Sequence, residues 1–260
     1  MCELLGVSSL HPVTLEMSFQ QLIKRAKIFN PDGWGAVFYE QNDAYVFREP
    51  RPADNSTLAR LLANSGIEST LILCHIRRAT TGPVGLRNTH PFNREVDGRQ
   101  NSFAFNGNIP EVFELDLSME RFTPVGETDG EYAFCCLLEQ LNQPPGGASQ
   151  SGKASILQAF GDRLAAMGPA NFLYSDSRRL YAYASRRTHS DGVHPPGLYY
   201  NIRHCDEVDR AIPCVGVQLE TKESSEQLLT LVASVPLSDG EWVPFQDKQL
   251  IIIEDGNILS

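Results

Sequence analysis

Long apolar runs are missing from this 260-residue sequence; none approaches the roughly 18–20 residues that a membrane-spanning helix needs. The stretch Met1 to Val7 has neither a basic flank nor an extended apolar core, so neither an ordinary signal peptide nor a lipoprotein anchor is expected. Basic residues are in deficit: 22 Lys and Arg stand against 32 Asp and Glu, a formal net charge of −10. That sign argues against nucleic acid or an anionic membrane as partner and favours small molecules or other proteins. The six cysteines show no paired C-x-x-C spacing, and a chain of this length does not depend on a disulfide framework, so a reduced, cytoplasmic setting is expected. The six histidines are scattered, and none stands with cysteines at a zinc-ligand spacing, so no metal is expected. No internal repeat is present. What the chain does have is 42% apolar residues, enough for a substantial core.

The order of elements narrows the architecture. Cys2 to Val7 reads as an opening strand, and Ser18-Phe-Gln-Gln opens a helix carrying Phe19, Leu22, Ile23 and Ala26 at helical spacing. Trp34 to Tyr39 and Ala44 to Arg48, separated by Glu40-Gln-Asn-Asp, predict a hairpin. A second helix is expected over Ser56 to Ala63 and a strand buried on both faces over Thr70 to Ile76; Thr81 to Arg99, rich in Gly, Pro, Asn and Arg, reads as loop. Ser102 to Phe105 is a further short strand. Thr128-Asp-Gly-Glu131 has the pattern of a capping box ahead of Phe134, Leu137, Leu138 and Leu141, which puts Asp129 in a helix's first turn. Gln143 to Gly152 reads as a surface connection, Ala154 to Leu164 as a helix, and strands then dominate, at Phe172–Ser175, Leu180–Ser185, Leu198–Arg203, Leu228–Val235 and Leu250–Glu254. Helices and strands interleaved without strict alternation favour an α+β layered protein over a doubly wound parallel sheet, in one domain spanning residues 1–260.

A cysteine directly after the initiator methionine carries a chemical possibility. Removal of Met1 would leave Cys2 with both a thiol and a free α-amine, so that nucleophile and base share one residue. The amine, with a reference pKa of about 7.7–8.0, can take the thiol proton and later return it to a leaving amine. The alternative is a small buried residue at the start of an edge strand. Four further motifs follow: Cys74-His-Ile-Arg-Arg-Ala-Thr-Thr-Gly82 at a strand end, Asn88-Thr-His-Pro-Phe92, Phe105-Asn-Gly-Asn108 and Glu127-Thr-Asp-Gly-Glu131.

Taken with Cys2 and in this order, these motifs resemble the class-II glutamine amidotransferase family from Cys2 to about Leu141. Val232-Ala-Ser-Val-Pro-Leu237 and Asp239-Gly-Glu-Trp242 extend the similarity to the family's stand-alone, YafJ-like branch. The resemblance implies a four-layer α/β/β/α sandwich of N-terminal-nucleophile type with two antiparallel sheets. It implies Cys2 as nucleophile, Asn106 and Gly107 as the oxyanion hole, Arg77 on the substrate α-carboxylate and Asp129 on its α-ammonium, with Thr80 and His90 lining the pocket. No cofactor is implied.

Each role has a physical reason and a competitor. A guanidinium grips a carboxylate through two charge-assisted bonds, but Arg77 also fits a surface ion pair. Arg78, on the opposite side of the strand, reads as structural. Asn-Gly is a common tight turn as well as a donor pair, and an acid in a helix's first turn is favourable without any substrate. Gly33-Trp34-Gly35 resembles a family turn that acts through backbone shape. Three functions remain open at this point: a glutaminase that releases ammonia from the γ-amide of glutamine, with a separate ammonia-accepting protein; a γ-glutamyl hydrolase of small peptides or thiols; and a silent relative that binds a γ-glutamyl ligand or a partner protein.

Overall fold

The computed structural model describes residues 2–16, 31–115, 120–142, 150–205, 211–214, 217–221, 226–237 and 241–259. The helix expected from Ser18 and most of the connection after Gln143 lie outside the described residues. The first part of the chain forms β1 (Glu3–Glu16), the hairpin β2 (Trp34–Glu40) and β3 (Asp43–Glu49), helix α1 (Thr57–Ala63) and β4 (Glu68–Ile76). The middle holds β5 (Phe92–Val96), β6 (Arg99–Gly107), α2 (Asp129–Asn142) and α3 (Gln150–Met167), then β7 (Ala170–Ser175), β8 (Leu180–Ala184) and the small hairpin β9 (Arg187–His189) and β10 (Gly192–His194). Strands β11 (Tyr199–Cys205), β12 (Ala211–Cys214), β13 (Val217–Thr221), β14 (Gln227–Ala233), β15 (Val243–Pro244), β16 (Gln249–Glu254) and β17 (Asn257–Ile258) complete it.

Two antiparallel sheets result. One runs β15-β11-β14-β1-β4-β2-β3, with β13 against the far half of β1 and β12 beyond it; the other runs β17-β16-β8-β7-β6-β5. Their facing sides interdigitate Leu4, Val37, Leu71 and Leu73 with Ala104, Leu173, Leu180, Ala182, Ile251 and Ile253. The other side of the first sheet packs Leu5, Val7, Ala36, Phe38, Ile72 and Cys74 against Ala59 and Leu62 of α1. The other side of the second sheet presents Phe103, Phe105, Phe172, Tyr181 and Tyr183 to Phe134, Leu138, Phe160 and Leu164 of α2 and α3. Each of the larger aliphatic and aromatic side chains among these contributes roughly 1.5–3 kcal/mol on removal from water, against the entropy of ordering the chain. Thr70 to Ile76 lacks alternation because both faces of β4 are covered. This is the α/β/β/α layering that the sequence predicts.

Helix ends follow local chemistry. Ser56 caps α1, its Oγ accepting from Ala59 N at 2.9 Å, and Thr128 caps α2, accepting from Glu131 N at 3.2 Å. The expected capping box is altered, for Glu131 turns back to Gly126 N at 2.7 Å, two residues before the cap. Several strands go beyond the sequence expectation. The opening strand continues to Glu16 through an irregularity between Ser8 and Val13. The loop-like stretch after Thr81 contains β5, which turns into β6 at Asp97-Gly98, both at positive φ, 52° and 72°. Asp-Gly is a strong two-residue hairpin signal, masked here by the Gly, Pro and Asn before it.

The period-two alternation of strands places the functional end of the molecule. Leu4, Leu71 and Leu73 face the inter-sheet space, so Cys2, His75 and Arg77, at even spacing from them, turn to the same side.

Candidate active site

Cys2 lies just before β1, half-buried, and its Sγ meets the backbone of Arg78: Arg78 N donates to Sγ at 3.3 Å, and Sγ lies 3.4 Å from Arg78 O. Arg78 thus enters the site through its main chain, while its side chain is exposed. Burial pushes the Cys2 thiol up to about 11; the Arg78 N–H, the amino terminus and Arg77 pull the other way.

The carbonyl of Cys2 is held by Asn106, whose Nδ2 donates to it at 2.8 Å. Ser234 lies beside them: its Oγ is 3.4 Å from Asn106 Nδ2 and accepts from Leu4 N at 3.0 Å. Asn106 is in turn fixed from β7, where Asn171 Nδ2 donates to Asn106 O at 3.1 Å. Gly107 ends β6 opposite Ala170. A side chain there would collide with Pro169 O, 2.3 Å from the Cβ position, so the close approach of the two strands requires glycine. Arg187 completes the support, donating to Ser234 O and lying 3.5 Å from Glu3 Oε1.

Arg77 follows β4 and is buried, with 2% exposure. Its Nη2 donates to Thr81 O at 3.0 Å and Gly82 O at 3.1 Å, and its Nη1 to Pro83 O at 3.3 Å. Three guanidinium N–H groups therefore close the loop after β4, in place of a surface ion pair. Burial lowers the guanidinium's proton affinity, and Cys2, Asp32 and Asp129 restore part of it, which puts all three within electrostatic reach of Arg77. Asp32 braces this strand end, its Oδ2 accepting from Ala79 N at 2.8 Å.

Asp129 occupies the first turn of α2 as expected, buried, with Oδ2 accepting from Ile109 N and Oδ1 from Gly130 N, both at 3.0 Å. Ile109 is two residues beyond Gly107, so the carboxylate is tied to the segment that follows β6. Burial holds the carboxyl above its ordinary value, opposed by those N–H groups and by Arg77.

Thr80 is exposed on the loop after β4. His90, expected to line the pocket, is a buried residue. Its ring is buried between His75, with centroids 4.4 Å apart, and Phe92, at 4.2 Å. It lies so close to α2 that a Cβ on Gly130 would fall 2.5 Å from His90 Nε2. Of Gly33-Trp34-Gly35, only Gly33 precedes β2; its carbonyl accepts from Arg77 N at 2.8 Å. Sequence reasoning missed Ser234, Asn171, Arg187, Asp32 and the Arg78 backbone. Ser234 stood within the Val232–Leu237 motif, whereas Asn171 and Arg187 carried no local signal because their partners are distant in sequence.

Cys2, Asn106, Gly107, Arg77 and Asp129 are thus brought into one neighbourhood, where a thiol, a side-chain amide and one charge of each sign converge. The family profile described as "Glutamine amidotransferases class-II" matches residues 1–260. The chain is 35% identical over 245 residues, 93% of its length and 92% of the relative's, to YafJ of Escherichia coli (strain K12), named as a candidate glutamine amidotransferase. A crystal structure of a predicted glutamine amidotransferase from Pseudomonas aeruginosa PA01 superposes with a TM-score of 0.71 at 26% identity, covering 99% of both chains. Glutamine phosphoribosylpyrophosphate amidotransferase from B. subtilis shares the fold, with a TM-score of 0.60 at 14% identity, over 98% of this chain and 48% of that one. This chain belongs to the class-II glutamine amidotransferases.

Proposed function

We propose that the protein, as a single domain in the cytoplasm, hydrolyses the γ-amide of glutamine through a thioester on Cys2 and releases ammonia to a separate acceptor protein. The observation that carries this reading is the contact of Asn106 with the nucleophile's own carbonyl, 2.8 Å from Nδ2 to Cys2 O. It brings an amide donor to the reacting residue.

In this reading the α-amine of Cys2, freed by loss of Met1, takes the thiol proton. The thiolate forms a C–S bond to the γ-carbonyl carbon, and the π electrons move to oxygen. Asn106 Nδ2 and the Gly107 N–H stabilise that oxyanion; removing one such donor typically costs ~10²–10³ in rate. Collapse breaks the C–N bond, and the ammonium proton goes to the leaving ammonia. Water, deprotonated by the same amine, then attacks the thioester, breaks the C–S bond and yields glutamate. Arg77 and Asp129 hold the α-carboxylate and α-ammonium, with Thr80 and His90 at the pocket's margin.

The test is to incubate protein of verified N-terminal mass with glutamine and with a panel of γ-glutamyl peptides, measuring ammonia and released amine. Glutamine turnover that disappears in Cys2→Ala supports the proposal. Release of amine from peptides without ammonia from glutamine would move it to γ-glutamyl hydrolysis. Silence of processed protein on every substrate would leave it a binding protein.

A further inference from the structure

Two buried imidazoles pack against each other beside the site, and neither has a chemical step in the mechanism above. His75 on β4 and His90 are 1% and 5% exposed. Three of their four ring nitrogens, His75 Nδ1 and both nitrogens of His90, are buried without a hydrogen-bond partner among the described residues. Burial without partners is unfavourable for polar atoms, so packing alone would be better served by leucine or phenylalanine at these positions. The fourth nitrogen is engaged: His75 Nε2 lies 3.1 Å from the carbonyl oxygen of Phe105. A carbonyl only accepts, so Nε2 carries the hydrogen and Nδ1 is bare.

Phe105 immediately precedes Asn106 and Gly107. The pairing of β5 with β6 reaches only Phe92 opposite Phe103, and the preceding residue, Pro91, has no N–H with which to extend the ladder. On that side β6 therefore runs past its neighbour just where it carries the oxyanion donors. His75 reaches across from the other sheet, two residues before Arg77. His90 packs against it, the two rings tilted by 32°, and rests against Gly130, beside Asp129.

We propose that His75 is a positioning residue: its Nε2–H holds the carbonyl of Phe105, and through it Asn106 and Gly107, in register with the strand that ends in Arg77, while His90 fixes the imidazole's orientation. The assignment rests on the glutaminase reading of the site and names a residue outside it.

The experiment compares His75→Leu, which fills space but donates nothing, with His75→Gln, whose amide can donate to Phe105, and His75→Asn, which is too short to reach. Steady-state kinetics are run with iodoacetamide labelling of Cys2, a reaction that needs no oxyanion donor. The expected result is a fall in kcat of about 10–100-fold in His75→Leu and His75→Asn, as a displacement near 1 Å produces. KM should stay within about twofold, the labelling rate should be unchanged, and His75→Gln should recover most of kcat. Backbone amide exchange at Asn106 and Gly107, which needs no activity, should speed up in His75→Asn and return towards wild type in His75→Gln. If wild-type protein is silent on all γ-glutamyl substrates, the functional reading fails and amide exchange alone decides the positional claim. Unchanged exchange in His75→Asn, full kcat in His75→Leu, or a His75→Gln protein that melts like wild type yet is as slow as His75→Asn would each overturn the proposal. Should His75→Leu fail to fold, the Gln and Asn variants carry the test.

Discussion

The side-chain amide of Asn106 donates to the backbone carbonyl of Cys2 at 2.8 Å, joining residues 104 positions apart in sequence. One amide hydrogen thereby anchors the proposed nucleophile. The other faces Ser234 Oγ at a long 3.4 Å, a weak contact that an oxyanion could displace.

Asn106→Asp tests both halves of that arrangement. The substitution keeps the shape, removes the donor and sets an acceptor against Cys2 O. Loss of a buried partner costs about 1–3 kcal/mol, and loss of an oxyanion donor ~10²–10³ in kcat. Denaturant unfolding and steady-state kinetics should register the two effects separately, with little change in KM. A variant that is destabilised but fully active would reduce Asn106 to a strand anchor.

Processing of Met1 should change the chemistry of the thiol. With burial holding Cys2 up to about 11, little thiolate exists near neutral pH. Freeing the α-amine places a positive charge on Cys2 itself, which favours thiolate and lowers that value. Each unit of lowering raises the thiolate fraction about tenfold at pH well below the midpoint. The pH profile of iodoacetamide labelling should therefore shift downwards when Met1 is removed, in step with activity. Cys74 and Cys136 are buried and held up to about 12, so label should collect on Cys2 ahead of them. Identical profiles for processed and unprocessed protein would show that the amine does not act on the thiol.

The buried histidines predict an acid weakness. Burial pushes His75 from 6.5 down to about 3, and His90 falls in the same direction. Between those values the unfolded chain binds protons that the folded chain refuses. Stability is therefore complete above about 6.5 and is lost as pH falls towards 3. His75→Gln removes one such group and should flatten the acid limb of Tm against pH, even where its Tm at neutral pH is lower. Parallel acid limbs for wild type and variant would mean that the imidazole is protonated in the fold.

Much of this arrangement is legible in the sequence wherever a local pattern fixes a local structure. Thr128-Asp-Gly-Glu131 places Asp129 in a first turn because capping is decided within four residues, and the apolar run of β4 reports its two covered faces. Long-range partnerships leave no such trace. Nothing around Asn171 tells of its bond to Asn106 O, and nothing in Arg187-Thr-His189 announces its reach to Ser234. Arg78 illustrates the same limit: side-chain alternation correctly turns it away from the site, yet its main chain is what touches Cys2 Sγ. His90 stands out as a motif residue, but only the packing of its ring between His75 and Phe92 shows that it is buried.

Arg77 and Asp129 yield the last prediction. The guanidinium holds the carbonyls of Thr81, Gly82 and Pro83, so its substitution should loosen that loop as well as remove a charge from the proposed substrate site. Asp129 closes no comparable loop; its carboxylate accepts from Ile109 N and Gly130 N at the start of α2. A charge-assisted hydrogen bond is worth roughly 1.5–3 kcal/mol. Arg77→Ala and Asp129→Ala should each lower kcat/KM by one to two powers of ten or more on glutamine and γ-glutamyl amides alike. Arg77→Lys separates the two duties of the arginine. A lysine keeps the positive charge near Cys2 and Asp129 but loses the planar fork, so it cannot serve the three carbonyls in the same geometry. Hydrogen exchange at Thr81 and Gly82 should rise in both Arg77 variants and stay near wild type in Asp129→Ala, while kcat/KM should recover in part with lysine. Full activity in Arg77→Ala and Asp129→Ala on every γ-glutamyl substrate would leave Arg77 as a loop clasp and Asp129 as a first-turn acid, with head-group recognition located elsewhere.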